Sequence, residues 1–208
     1  MAALHSYVVR YDSGFAPNPF YGYCTLATCK PDIRRAAQVG DWILGSGSDA
    51  KGVRLGRRLV YAMQVTEAMT FASYNSDVRF ERKKPFRNGS RKQSCGDNIY
   101  FKANGSNAWS QRDSFHSNSD GTKHGEHVRI DTAVDRVLIS DDFVYFGSAG
   151  PEIPGEIVNS AGQHICKKGI GRSCFREDRV LNDFVAWIRA LGARGYQDAP
   201  FEWVTLRG

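Results

Sequence analysis

Between Ser13 and Pro31 the chain reads SGFAPNPFYGYCTLATCKP, with three prolines set among the aromatic residues Phe15, Phe20, Tyr21 and Tyr23. Proline fixes φ and removes a backbone donor, so neither a long helix nor a central strand can run through this segment. The aromatics must ride on a shaped loop, and the elements around them must be short. The same constraint recurs further on, because 21 glycines spread over 208 residues break the chain into brief runs.

Within those limits the pattern predicts a strand at Tyr7–Val9 and another at DWILGSG, from Asp41 to Gly47. A longer strand follows in RLVYAMQVTEAMTF, with Leu59, Tyr61, Met63 and Val65 on one face. PDIRRAAQVG fits one or two helical turns, with Pro31 in the first turn, Asp32 at the positive end and Gly40 as the stop. A short strand is expected at Ile99–Lys102, then a polar, turn-rich excursion over residues 103–129. DRVLISDDFVYFG reads as a hairpin, Val137–Ile139 and Phe143–Phe146 flanking Ser-Asp-Asp. A final helix from Asp178 to Leu191 carries Val180, Leu181, Phe184, Val185, Ile188 and Leu191 on one stripe before Gly192. Strands with a few peripheral helices imply an α+β fold, a curved sheet or small β-barrel with a C-terminal helix.

A composition 41% hydrophobic and 12% aromatic excludes a disordered chain, and the length suits one domain over 1–208 better than two. No apolar run approaches a membrane span, and the N-terminus lacks the layout of a signal peptide, so a cytoplasmic protein is expected. Five cysteines, an odd number, then read as reduced thiols.

The formal charge of +6 favours an anionic partner. In RFERKKPFRNGSRK, Arg79 to Lys92, basic residues far outnumber the single acid and alternate with Phe80 and Phe86. Cations for phosphates beside rings for bases suit nucleic acid, with Arg82, Lys83, Lys84, Arg87, Arg91 and Lys92 as the phosphate contacts. A solvated loop anchored by its aromatics is the competing reading.

Catalytic motifs are scarce. Four residues separate Cys24 from Cys29 and seven separate Cys166 from Cys174, spacings that fit structural zinc poorly, and YCTLATC is apolar enough for two buried thiols. His124 and His127 in KHGEH read as surface residues. GSGS, from Gly45 to Ser48, lacks the context of a nucleophile elbow, a dinucleotide fingerprint or a phosphate loop. It is either a rim that holds a flat or anionic ligand or a plain connection. Asp97 and Asn98 beside Tyr100 could read the edge of a base while the ring stacks on it, or could form a turn entering a strand. Asp141 and Asp142 fit a hairpin turn. Neither a metal nor a cofactor is called for.

GFAPNPFYGYCTLATCKPDIRRAAQVGDWILGSGS, LVYAMQVTEAMTFASYNSDVRFERKKP, GDNIYF, DTAVDRVLISDDFVYFG and FVAWIRALG together resemble the second family of nucleotide-modification-associated domains of phages and bacteria. The resemblance spans nearly the whole chain. It implies a modified base as partner, in DNA or as a nucleotide, and a setting of phage DNA modification or bacterial defence, without implying a reaction. VGDWILG followed by LVYAMQVTEAMTF also looks like the core of the PUA-like group, which includes the EVE, ASCH and YTH domains. That likeness implies an aromatic-lined base pocket.

The resulting expectation is a binding module, with Phe15, Phe20 and Tyr21 as pocket walls and Trp42, Ser46 and Gly47 at the rim. Asp97, Asn98 and Tyr100 complete that pocket. Two alternatives stand beside it. One is an enzyme on modified bases, a glycosylase or amidohydrolase, using Asp97, Asp141 or Asp142 to activate water. The other is a subunit of a defence system that contacts protein through residues 103–129.

Overall fold

The computed structural model describes residues 2–49, 54–103 and 105–205. In chain order these form β1 (Leu4–Val9), β2 (Cys24–Leu26), α1 (Pro31–Ala36), β3 (Trp42–Gly47), β4 (Leu59–Gln64), β5 (Glu67–Met69) and α2 (Phe71–Ser76). A 3-10 turn, Val78–Lys83, leads to α3 (Arg91–Ser94), β6 (Tyr100–Lys102), β7 (Trp109–Gln111), α4 (Gly125–Thr132) and β8 (Val137–Ser140). The chain continues through β9 (Asp142–Tyr145), β10 (Arg172–Phe175), α5 (Asp178–Ala190), β11 (Gly195–Tyr196) and α6 (Phe201–Thr205). The fold is α+β with open sheets, not a closed barrel. Contacts divide it into two compact units. One is made from residues up to Asp12, from Ala37 to Thr66 and from Ser140 on, the other from Ser13–Ala36 and Glu67–Ile139.

The first unit is a six-stranded sheet in the order β10-β1-β3-β4-β9-β11. Helix α5 packs on it through the predicted stripe: Val180, Phe184 and Ile188 are buried, and Leu181, Val185 and Leu191 pack beside them. Trp42 of β3 meets the edge of Phe184 at 5.6 Å. Gly192 ends the helix at φ +63, a conformation that costs glycine little.

The register between β3 and β4 shifts at Gly45/Ser46, where Gly45 faces Tyr61 and Ser46 faces Leu59. The extra residue, Val60, carries Leu59 over to the face of Ala62, where both join the α5 core. Leu59 and Tyr61 therefore do not share the single face that strict alternation predicts. The same bulge explains the glycines. A Cβ at Gly45 would lie 2.3 Å from the Tyr61 ring, and one at Gly47 would lie 2.1 Å from the Leu55 carbonyl oxygen. The close approach that these glycines permit is made by the chain's own Tyr61 and Leu55.

The second unit holds the three-stranded sheet β2-β8-β5, the ribbon β6-β7 and helices α1 to α4. Its core gathers Phe15, Phe71, Tyr74, Phe80, Ile99 and Val137. The long strand expected from Arg58 to Phe71 is divided: β4 and β5 lie in different sheets, and Thr70 caps α2 by accepting from Ser73 N at 3.2 Å. The expected hairpin at 137–146 does not form either. β8 pairs with β5 and β9 with β4, because both runs are apolar enough to be buried in separate sheets.

Removing the ring that α5 places on the sheet, Phe184→Ala, is expected to destabilise the protein by about 3–5 kcal/mol. Urea denaturation followed by tryptophan fluorescence measures it.

Candidate functional site

The chemistry-bearing side chains of the second unit form two buried networks and one exposed face. The first network fixes the aromatic loop. Asn18 donates from Nδ2 to the carbonyls of Gly14 (3.1 Å) and Cys95 (2.8 Å). Lys83 Nζ donates to Asn18 Oδ1 (2.7 Å), Tyr23 O (2.9 Å) and Thr25 Oγ1 (3.0 Å). Asp97 closes the network by accepting from Thr25 Oγ1 (2.6 Å) and the Tyr74 hydroxyl (2.8 Å). Burial lowers the Lys83 ammonium to about 8, although Asp97 pulls the other way. Burial also raises the Asp97 carboxyl, opposed by Lys83, Thr25 and Tyr74.

Several predicted site residues are thereby reassigned. Lys83 is fully buried and satisfied by protein acceptors, so it cannot reach a phosphate. Asp97 spends both carboxylate oxygens inside the fold. Asn98 donates to Tyr74 O at 3.0 Å, and Tyr100 turns its ring onto Phe71 at 5.4 Å and its hydroxyl to Asp131. Phe15 and Phe20 are buried, and so are Trp42, Ser46 and Gly47, which belong to the first unit. Asp142 is ion-paired with Arg189, which holds its carboxyl below the usual range, and Asp141 is exposed in the turn.

The exposed face keeps four of the six predicted cations at the surface: Arg82, Arg87, Arg91 and Lys92. Arg82 lies 4.3 Å from the Tyr21 ring centroid, Arg87 4.8 Å from that of Phe115, and Lys92 Nζ 5.7 Å from that of Phe20. Arg91 and Lys92 are presented by α3, whose start is set by the reciprocal Ser90/Gln93 capping box. Lys84 is instead paired with Glu81, and Arg79 with Asp77 and Glu67. Phe86 is 58% exposed and Phe115 44%.

The second network joins residues far apart in sequence. Cys29 stands in the bend between β2 and α1, with Cys29 at φ +57 and Lys30 at +42. Its Sγ lies 3.4 Å from His116 Nε2, and His116 Nδ1 lies 2.8 Å from Asp131 Oδ2. Asp131 also accepts from the Cys29 backbone N (2.8 Å) and the Tyr100 hydroxyl (2.8 Å). Behind it, the buried Arg34 donates to the carbonyls of Cys29 (2.9 Å), Asp131 (2.6 Å), Val134 (2.7 Å) and Arg136 (2.9 Å).

Burial opposes a charge on His116, but the hydrogen bonds to Asp131 and Cys29 outweigh it and raise the imidazole to about 9. Burial likewise works against the Asp131 carboxylate, yet His116, Tyr100 and Arg34 hold it below its ordinary value. Beyond His116 the ring of His127 lies at 4.3 Å, and His124 stacks on His127 at 4.1 Å. Sequence reasoning passed over this cluster, weighing Cys29 only as a partner of Cys24 and His124 and His127 only as a pair. The available signal was a cysteine with histidine and aspartate elsewhere in the chain, which no local spacing reveals.

Two measurements test these networks. Lys83→Met removes the donor to four acceptors and leaves Asp97 without its counter-charge in the interior, and is expected to cost about 3–5 kcal/mol, whereas Lys84→Met costs about 1 kcal/mol or less. Both are read from urea midpoints. For His116 the folded value lies above the ordinary histidine value of 6.5, so its contribution is complete below 6.5 and is lost as pH rises through about 9. Stability should fall over that window by on the order of 3 kcal/mol, and His116→Gln should remove that part of the slope.

The sequence profile described as nucleotide modification associated domain 2 matches residues 1–207. None of the curated proteins and no solved structure matches the chain.

Proposed function

The chain belongs to the nucleotide modification associated domain 2 family, and we propose that it recognises a nucleotide carrying a modified base, presented in a strand of nucleic acid. The carrying observation is the surface on which Arg82 lies over Tyr21 and Arg87 over Phe115, with Phe86 exposed and Arg91 and Lys92 on α3. Arg82 over the Tyr21 ring has N–H groups for phosphate oxygens, and Arg87, whose Nε lies 3.8 Å from Asp113 Oδ1, offers its terminal N–H groups. The rings and guanidinium planes offer stacking faces for unpaired bases, worth about 1–3 kcal/mol per base. The rings that take this role are Tyr21, Phe86 and Phe115, while Phe15 and Phe20 support them from the core.

No helix among the described residues is long and apolar enough to cross a membrane. A nucleic-acid partner fits a cytoplasmic protein of a bacterial or phage-infected cell, acting in DNA modification or in defence against it. Recognition is the part of the function that this face carries. Chemistry on the bound nucleotide would fall to the Cys29 cluster.

Fluorescence anisotropy with labelled single-stranded oligonucleotides, unmodified and base-modified, tests the reading. Replacing Arg82, Arg87, Arg91 and Lys92 together by alanine should weaken binding at least about tenfold and flatten the dependence of log K on log salt by about 3, the release expected for four phosphate contacts on a single strand. Unchanged affinity and slope would remove this face from consideration.

A further inference from the structure

The Cys29–His116–Asp131 network has a direction. Arg34 and Asp131 are buried, the His116 side chain is 15% exposed, and Cys29 is intermediate, so the network runs from a buried carboxylate to an imidazole and a cysteine that are both partly exposed. A clamp built only to hold α4 against the β2–α1 bend would end at Arg34 and Asp131. The imidazole and thiol would then be surplus.

The backbone at Cys29 supports the same conclusion. Two consecutive non-glycine residues in the left-handed region are held only where surrounding contacts over-determine them, and such strain collects at functional sites. Here the N–H of Cys29 is fixed by Asp131 and its carbonyl by Arg34, so both polar backbone atoms are pinned by buried charges. Lys30, next in the chain, keeps its ammonium within electrostatic reach of the thiol. The Thr28 hydroxyl is buried without a hydrogen-bond partner in the structure. Other cysteines show the contrast: Cys166 is buried, its thiol pushed up to about 12 by burial, and Cys174 is exposed.

We propose that Cys29 is a catalytic nucleophile, with His116 as its acid and base and Asp131 orienting the imidazole, and that the enzyme removes acyl groups from modified nucleotides. Only the nucleotide part of the substrate rests on the recognition reading. The acyl part follows from the geometry: one imidazole nitrogen facing the sulfur can take the thiol proton and return it to a leaving group, as acyl transfer requires.

In the first half-reaction the proton shared by Cys29 and His116 already sits on Nε2 of the charged imidazole, and Sγ bonds to the carbonyl carbon of an amide or ester on the base or sugar. The bond from that carbon to the nucleoside nitrogen or oxygen breaks, and His116 protonates the departing atom. In the second, water gives a proton to His116 and attacks the thioester. A carboxylic acid leaves, and the sulfur is restored beside the protonated imidazole. The sum is acylated nucleotide plus water giving nucleotide plus carboxylic acid, with no change of oxidation state.

Two readouts on the full chain test this. Alkylation by iodoacetamide at pH 7, resolved by peptide mass spectrometry, should label Cys29 at least about tenfold faster than Cys174 in the same molecule. His116→Gln should bring Cys29 down to the rate of Cys174, with circular dichroism confirming the fold. Equal rates, or a Cys29 rate indifferent to His116→Gln in a folded variant, would overturn the nucleophile. Nucleosides and oligonucleotides acylated on exocyclic amines or hydroxyls should yield an acyl mass on Cys29 and release the free acid, both lost in Cys29→Ala. A fast-reacting Cys29 that gives neither adduct nor acid overturns the deacylation. Because the alanine variant of Arg82, Arg87, Arg91 and Lys92 must still show fast Cys29 alkylation, failure of nucleic-acid recognition is read separately from failure of the thiol.

Discussion

One buried guanidinium organises the unit built from Ser13–Ala36 and Glu67–Ile139. Arg34 sits on α1, and its four recorded hydrogen bonds go to backbone carbonyls at Cys29, Asp131, Val134 and Arg136. A helix C-terminus leaves carbonyls without intrahelical partners, and Arg34 supplies donors to the end of α4 and the residues just after it. The same side chain holds the carbonyl of the strained Cys29. A planar fork can do this because its donors diverge in fixed directions; a lysine in that place would offer a single point of charge. The bend at Cys29 and the end of α4 are therefore located relative to one another by one residue, and Asp131 and Cys29 with them.

The first unit is held together differently. It buries the His5–Asp41 pair and Asp12, but the layer between sheet and α5 is apolar, filled by Trp42, Leu44, Val144, Phe184 and Ile188. The second unit buries Arg34, Lys83, Asp97 and Asp131, each of which gives up hydration that its partners must replace. Buried charges are weak contributors to net stability, since desolvation consumes most of the attraction. What they supply is position. Lys83 satisfies two acceptors of Asn18 and reaches Tyr23, and so fixes a proline-rich loop whose own backbone pairing is the Asn18–Thr25 bridge.

How much of this was legible in the sequence depends on the distance over which each feature is decided. The α5 stripe, the strand at β3 and the first turn of α1 are local patterns, and they stand where periodicity and capping put them. The hairpin at 137–146 was misread because two apolar runs about a short turn look alike whether they pair with each other or with separate sheets. Leu59 changed faces because a bulge is a property of two strands, not of one. Lys83 lies in a basic run that composition marks as surface, yet a three-residue spacing in the 3-10 turn buries it with Phe80. The Cys29 network spans 87 residues from Cys29 to His116 and a further 15 to Asp131, so only the fold could assemble it.

The two proposed activities meet through one ring. Phe15 lies 4.8 Å from His116 and 5.8 Å from Phe115, and Phe115 carries Arg87 at 4.8 Å. The proline-rich loop that most restricts the chain thus places a buried aromatic between the imidazole and the exposed cation–ring pair. A nucleotide stacked at Phe115 with its phosphate on Arg87 would be linked to the imidazole of the Cys29 cluster through the Phe15 ring, within the same unit. On that reading, the loop's rigidity serves chemistry more than recognition: stacking tolerates a shift of the base, whereas proton transfer between sulfur, imidazole and leaving group does not.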